Sequence, residues 1–297
     1  MNNKVALRFD GPLIIACNHP NSFLDAIVLS ALFKKPVYSL ARGDAFKNPF
    51  IAKLLRSLKM LPVYRTSEGV ENMEHNYSTF DACKELFKKN GIVLIFSEGG
   101  CINEWHLRPL KKGTARLALS SWNDGIDVKI LPAGLNYHSF QSYDKDIHLS
   151  FGKIISKEAV DMEKGFGRSV VSFNSLLQKE LQPLVYEIGQ DDVKKRKGYF
   201  EEPVAAWKKI LLFIPAVMGA TLHYPLHFIA EQMAKKYGAE NDHYDSIIIA
   251  VLFLAYPFYL LLLIVLVFAV TCSWWALSFL AVLPFCAWSF LQLKKQF

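Results

Sequence analysis

Six positions separate two residues able to do acid–base chemistry, His19 and Asp25, in the stretch PLIIACNHPNSFLDAIVLSALF. Histidine is the usual general base near neutral pH. A carboxylate can hold its ring, fix the tautomer and stabilise the imidazolium. An apolar run ends just before His19 and another begins just after Asp25. That places the histidine in a loop beyond the C-terminal end of a strand, where α/β proteins bind ligands. The same residues also have a purely structural reading. Ser22-Phe23-Leu24-Asp25 fits a capping box, with Ser22 as N-cap and Asp25 at the third helical position. The two readings are compatible, because a helix N-terminus can hold an orienting carboxylate still.

Three further clusters carry chemistry-bearing residues. MLPVYRTSEG puts Arg65 just past a short strand, where a guanidinium can take a phosphate bidentately or simply face solvent. VLIFSEGGCINEWHLRPLKKGTARLAL brings a buried strand to a stop at Ser97-Glu98, and Gly99-Gly100 permit a ligand close to the backbone. Arg108, Lys111 and Lys112 then add positive charge, and Gly113-Thr114 opens a helix whose N-terminus favours anions. This is neither a Walker A loop nor a nucleophile elbow. ILPAGLNY places Pro132 at the end of a strand.

These clusters are held by an alternation of short apolar strands and helical periods. Strands are predicted near 13–17, 37–41, 61–64, 92–96, 129–135 and 147–151, and helices near 22–33, 49–58, 72–89, 114–122 and 169–188. Continuous apolar strands separated by helices predict an α/β fold with a layered, largely parallel sheet. In the helix near 47–59, Lys53, Arg56 and Lys59 recur every three residues opposite Phe50, Ile51, Leu54, Leu55 and Leu58. Such a helix either packs its apolar face on the sheet or lies on an anionic membrane surface.

Composition divides the chain. Residues 1–204 carry 28 Lys+Arg and 23 Asp+Glu, whereas 205–297 carry six and four, with long uncharged runs between them. The expected domains are 1–200, holding the clusters above, and a membrane-embedded tail, 201–297, with the polar stretch 191–202 as the joint. Segments 246–270 and 273–292 contain no charge and are each long enough to cross the roughly 30 Å hydrocarbon core. Together they predict a membrane helical hairpin, with Trp274 and Trp275 at its turn. Segment 210–229 is interrupted by Pro215, Gly219 and Pro225, so it is either re-entrant or spanning. The pairs Lys208-Lys209, Lys235-Lys236 and Lys294-Lys295 favour the re-entrant form, since all three then face the cytoplasm. His223 and His227 have metal-ligand spacing, but Pro225 lies between them, and polar packing is the better account.

The net charge of +7 suits anionic lipid or phosphorylated substrates. Nucleic acid is not expected, because no basic run with interleaved aromatics and no zinc-finger spacing occurs. The five cysteines form no CxxC pair and read as reduced thiols. The first residues, MNNKVALRFDG, lack the apolar core of a signal peptide.

NHPNSFLD, LPVYR, FSEGG and LPAGLNY, in this order over residues 10–155, resemble the four motif blocks of the glycerolipid acyltransferase superfamily. That superfamily includes lysophosphatidate, glycerol-3-phosphate and dihydroxyacetone-phosphate acyltransferases. The resemblance implies a membrane-bound O-acyltransferase of phospholipid biosynthesis. His19 would deprotonate the acceptor hydroxyl and Asp25 would orient His19. Arg65 would hold the acceptor's phosphate, with Glu98 and Gly99 shaping that pocket. Arg42 and Lys111 are added as assisting cations on charge alone. The donor would be acyl-CoA or acyl carrier protein, the acceptor a phosphorylated glycerol or lysophospholipid, and no metal or bound cofactor is expected. Two departures bear on the acceptor. Five residues lie between His19 and Asp25, where four are usual, and Gly100 follows Glu98-Gly99 where Thr or Ser is usual. The alternative is a non-catalytic lipid-binding membrane scaffold with the same fold.

Overall fold

The computed structural model describes residues 7–64, 74–142, 145–163, 165–200, 204–238 and 242–293. The chain forms two compact units. One comprises Met1–Tyr137 and Ile147–Gln190, the other His138–Asp146 and Asp191–Phe297.

The first unit is built on a six-stranded sheet of order β3-β2-β4-β1-β5-β6. Its strands are β1 (Leu13–Cys17), β2 (Val37–Arg42), β3 (Met60–Val63), β4 (Ile92–Phe96), β5 (Lys129–Tyr137) and β6 (Ile147–Phe151). Neighbours run parallel except β6, which returns antiparallel beside β5. All five residues of β1 are fully buried, with Leu13 in register with Ile92 on one side and Lys129 on the other. A strand buried on both faces cannot alternate polar and apolar residues, which explains the unbroken run LIIAC. Each of Leu13, Ile14 and Ile15 contributes about 1.5–3 kcal/mol by leaving water.

The helices are α1 (Ser22–Leu32), α2 (Pro49–Ser57), α3 (Glu74–Lys88), α4 (Gly113–Asn123) and α5 (Phe166–Leu181). One face of the sheet, with Ile14, Ala16, Val93, Ile95 and Ile130, shares a core with Phe87 of α3, Trp122 of α4 and Phe173 of α5. The Trp122 indole N–H reaches the Val128 carbonyl at 2.8 Å, so the ring is buried without losing its hydrogen bond. Pro132 lies inside β5, paired with Ala16, and not at a strand end as the sequence suggested. It is tolerated because the β5–β6 ladder begins only at Ala133–Phe151, so no partner there needs a Pro132 N–H.

The second unit contains α6 (Val193–Phe200), α7 (Ala206–Gly238), α8 (Tyr244–Thr271) and α9 (Phe279–Leu293). Among the described residues three segments are long and apolar enough to cross a membrane: Ala206–Gly238, Tyr244–Thr271 and Trp274–Leu293. The chain does not reverse within 210–229; α7 runs unbroken through Pro215 and Pro225. Gly219 is a packing residue. A Cβ there would lie 2.1 Å from the Cys286 carbonyl oxygen of α9. Small residues at helix crossings are what close packing in a membrane requires. His223 joins this packing by bonding the Gly219 carbonyl at 2.9 Å and stacking on Tyr256. The α8–α9 turn is closed by Cys272 at φ +47, and Trp274 and Trp275 beside it are 74% and 83% exposed. Within the same unit Lys145, from the β5–β6 connection, forms a fully buried ion pair with Asp245 at the start of α8.

Candidate active site

Because β1 to β5 run parallel, the residues following them emerge along one edge of the sheet. β1 lies between β4 and β5, so the loop after Cys17, the loop after Phe96 and the end of β5 at Tyr137 are neighbours. The residues that could do chemistry gather there.

His19 Nδ1 lies 2.8 Å from Asp25 Oδ2. Asp25 is completely buried, whereas the His19 side chain keeps 17% of its surface open. Asp25 is fully engaged. Its Oδ2 also accepts the Asn21 N–H at 2.8 Å, and its Oδ1 accepts the Tyr137 hydroxyl at 2.6 Å. Burial, and then the Asp25 charge, push the Tyr137 hydroxyl well above its usual range, so it stays protonated and donates. With Asp25 acting as acceptor throughout, Nδ1 carries the shared proton and Nε2 is the basic nitrogen. The ring is fixed from a third direction by stacking on Phe96, centroid to centroid 3.7 Å and 6° from parallel.

Only the reciprocal half of the capping box forms, and in a shifted register. The N-cap is Asn21, and Asp25 reaches back to the Asn21 N–H instead of that of Ser22. Ser22 adopts φ +48, and its N–H points to Cys101 Sγ at 2.9 Å. The left-handed residue turns the chain sharply enough to bring His19 over Asp25, which accommodates the fifth intervening residue.

Glu98 is 3% exposed and works on the backbone. Its two oxygens accept the N–H groups of His19 and Arg108, each at 2.9 Å. Burial raises its carboxyl above the ordinary range, and these two hydrogen bonds pull it back in part. The Ile102 N–H meets the His19 carbonyl at 3.3 Å, and the Asn103 amide meets the Pro20 carbonyl at 2.7 Å. The loop after β4 is therefore a clamp on the histidine loop. On the other side the Asn18 side-chain amide pairs with both backbone groups of Leu135, at 2.9 and 2.8 Å. Cys17 is no nucleophile, since burial and the charges of Asp25 and Glu98 push its thiol well up.

Gly99 sits at φ +69, and a Cβ there would meet Lys111 Cγ at 2.8 Å. Lys111 donates its N–H to the Ser97 carbonyl at 2.8 Å, and its side chain lies across Gly99. His19, Asp25, Glu98, Gly99 and Lys111 are thus brought together. Arg42 ends β2 on the same edge but two strand spacings, about 10 Å, from β1. It is exposed and grips Asp44 with both Nε and a terminal nitrogen. Arg65 lies outside the described residues. Its neighbour Tyr64 packs so closely on Gly43 that a Cβ there would fall 2.2 Å from the ring. Sequence reasoning missed Tyr137, Phe96 and Asn18; Tyr137 closes the LPAGLNY block and Phe96 precedes Ser97-Glu98, so position within the blocks was the available signal.

A histidine held by a buried carboxylate at the C-terminal edge of an α/β sheet defines a general-base site, open on one side. Residues 1–136 match the family model described as Acyltransferase, that of the glycerolipid acyltransferase family. The match ends one residue before Tyr137. No curated protein matches the chain significantly.

Proposed function

We propose that the protein transfers a fatty-acyl group from an acyl thioester, acyl-CoA or acyl carrier protein, to the hydroxyl of a phosphorylated glycerol acceptor. Lysophosphatidate and glycerol-3-phosphate are the acceptors of choice, and the reaction is a step of phospholipid biosynthesis. The observation that carries this reading is the His19–Asp25 pair, 2.8 Å apart, with Nε2 left for substrate.

In this mechanism Nε2 takes the proton of the acceptor hydroxyl as its oxygen attacks the thioester carbonyl carbon. A C–O bond forms, the tetrahedral intermediate collapses, and the C–S bond breaks. The leaving thiolate takes the proton back from the His19 imidazolium, so the step balances with donor and acceptor alone. Asp25 stabilises the imidazolium between the two transfers. Arg65, Arg42 and Lys111 are the cations proposed for the acceptor phosphate, and Glu98 and Gly99 shape that side. Holding the phosphate converts the attack into a positioned, effectively intramolecular step.

The protein is proposed to work as a membrane protein with its catalytic unit on the cytoplasmic face. The Lys208-Lys209 pair, on the catalytic unit's side of α7, supports that orientation. The test is acyl transfer by the full chain, from acyl-CoA and from acyl carrier protein, to glycerol-3-phosphate, dihydroxyacetone phosphate, lysophosphatidate and a non-phosphorylated lysolipid. Transfer confined to phosphorylated acceptors and reduced about 10²–10⁴-fold by His19→Ala is expected. Transfer to none of them sinks the proposal in favour of a lipid-binding scaffold, and equal use of the non-phosphorylated lysolipid removes the phosphate site.

A further inference from the structure

We propose that α2 is an interfacial helix that lies on an anionic phospholipid surface with Phe50, Ile51, Leu54 and Leu58 directed into the bilayer. None of the nine residues of α2 is buried. Phe50 is 78% exposed, Ile51 44%, Leu54 52% and, just past the helix, Leu58 49%. An ordinary surface helix turns its apolar stripe to the core. Here only Ala52 and Leu55 are half-buried, so the helix rests on the protein by a flank and shows its stripe to the outside. At 3.6 residues per turn the four exposed apolar residues span an arc of about 100°.

The helix is also defined by its own ends. The Asn48 side chain accepts the N–H groups of Phe50 and Ile51 at 2.9 and 3.2 Å, and Pro49 occupies the first turn. It therefore has the local means to persist without a covering partner.

Charge selects the occupant. Residues 45–64 carry Lys47, Lys53, Arg56 and Lys59 and no carboxylate. On α2 Lys53 lies about 60° from the edge of the apolar stripe and Arg56 on the face away from it, so Lys53 can reach headgroup phosphates while the apolar residues enter the acyl boundary. A second copy of this surface would bring four cations against four. A bilayer is at hand, because the same chain carries three segments able to cross one. The inference does not depend on which acceptor is acylated.

The test uses the full chain in vesicles of phosphatidylcholine with or without phosphatidylglycerol. Leu54→Cys and, for comparison, Arg56→Cys are labelled with an environment-sensitive fluorophore, and the signal of the identically labelled parent is subtracted. Lipids brominated on the acyl chain serve as quencher. The expected result is a blue-shifted Leu54 label that the brominated lipid quenches and an Arg56 label that it leaves largely unquenched. The shift should be lost without phosphatidylglycerol and in the variant K53E/R56E/K59E. A Leu54 label unquenched in both vesicle types overturns the proposal, because the face is then covered by protein or water. Equal quenching with and without phosphatidylglycerol overturns the anionic recognition. None of these readouts involves turnover, so they fail or succeed separately from acyl transfer.

Discussion

The two ends of the candidate site are built in opposite ways. Around His19 nearly everything is fixed before substrate arrives. Asp25 is buried and accepts three hydrogen bonds, Glu98 brackets the backbone, and Phe96 backs the ring. At Arg42 little is committed, since an exposed guanidinium holds an exposed Asp44 two residues away. Exposed ion pairs of this kind are worth about 0–1 kcal/mol. A dianionic phosphate can therefore take Arg42 from Asp44 at small cost, whereas turning the His19 ring would break several buried contacts together. If His19 and Arg42 have the roles proposed for them, rigidity is placed where a proton moves and slack where a ligand has to enter.

Breaking the rigid end should cost most. Asp25→Asn removes the charge that stabilises the imidazolium and offers Nδ1 an amide donor, so kcat should fall about 10²–10⁴-fold while the acceptor KM stays within a few-fold. Single-turnover rates would check this, and a large change in KM alone would contradict it. Tyr137→Phe takes one of the three hydrogen bonds from Asp25. A hydrogen bond to a charged group is worth about 1.5–3 kcal/mol, so a loss of roughly tenfold or more in kcat is expected, with the acidic limb of the pH–rate profile displaced. An unmoved profile would make Tyr137 structural only.

Glu98→Gln sharpens the comparison by separating bracing from chemistry. The amide can accept only one of the two N–H groups and turns its own NH₂ toward the other, which costs about 1–3 kcal/mol of stability. Thermal unfolding would read that loss. The pH dependence has a definite sign. The Glu98 carboxyl is raised above its unfolded value, so the folded chain keeps that proton to higher pH. Its contribution to stability therefore falls as pH rises from the unfolded value through the raised one, and Glu98→Gln should flatten that slope. The smallest effect belongs to the slack end. Asp44→Ala frees Arg42 and should lower the KM for a phosphorylated acceptor by a factor of a few, leaving kcat unchanged. A raised KM would mean that Asp44 holds Arg42 in place for the phosphate.

The strands were legible because β1 and β4 are buried on both faces and leave no polar residue to obscure the run. His19, Asp25 and Glu98 were legible as members of spaced blocks. What tied them together was not. Tyr137 meets Asp25 across 112 positions and Cys101 meets Ser22 across 79, contacts that only the β4-β1-β5 neighbourhood creates. The shift of the N-cap from Ser22 to Asn21 accompanies the Ser22–Cys101 contact. Gly219 read as a helix breaker because composition cannot tell a flexible position from one where another backbone passes. For α2 the pattern revealed two faces, but only packing decides which of them is covered.

The ion pair of Lys145 with Asp245 has a consequence for how the protein is made. β5 and β6 belong to the catalytic unit, yet the link between them is seated against a helix synthesised a hundred residues later. During translation Lys145 therefore lacks its partner Asp245 until the start of α8 has emerged. A chain stopped at Gln190 would keep every residue of the His19 site and lose the seat of the connection that follows Tyr137.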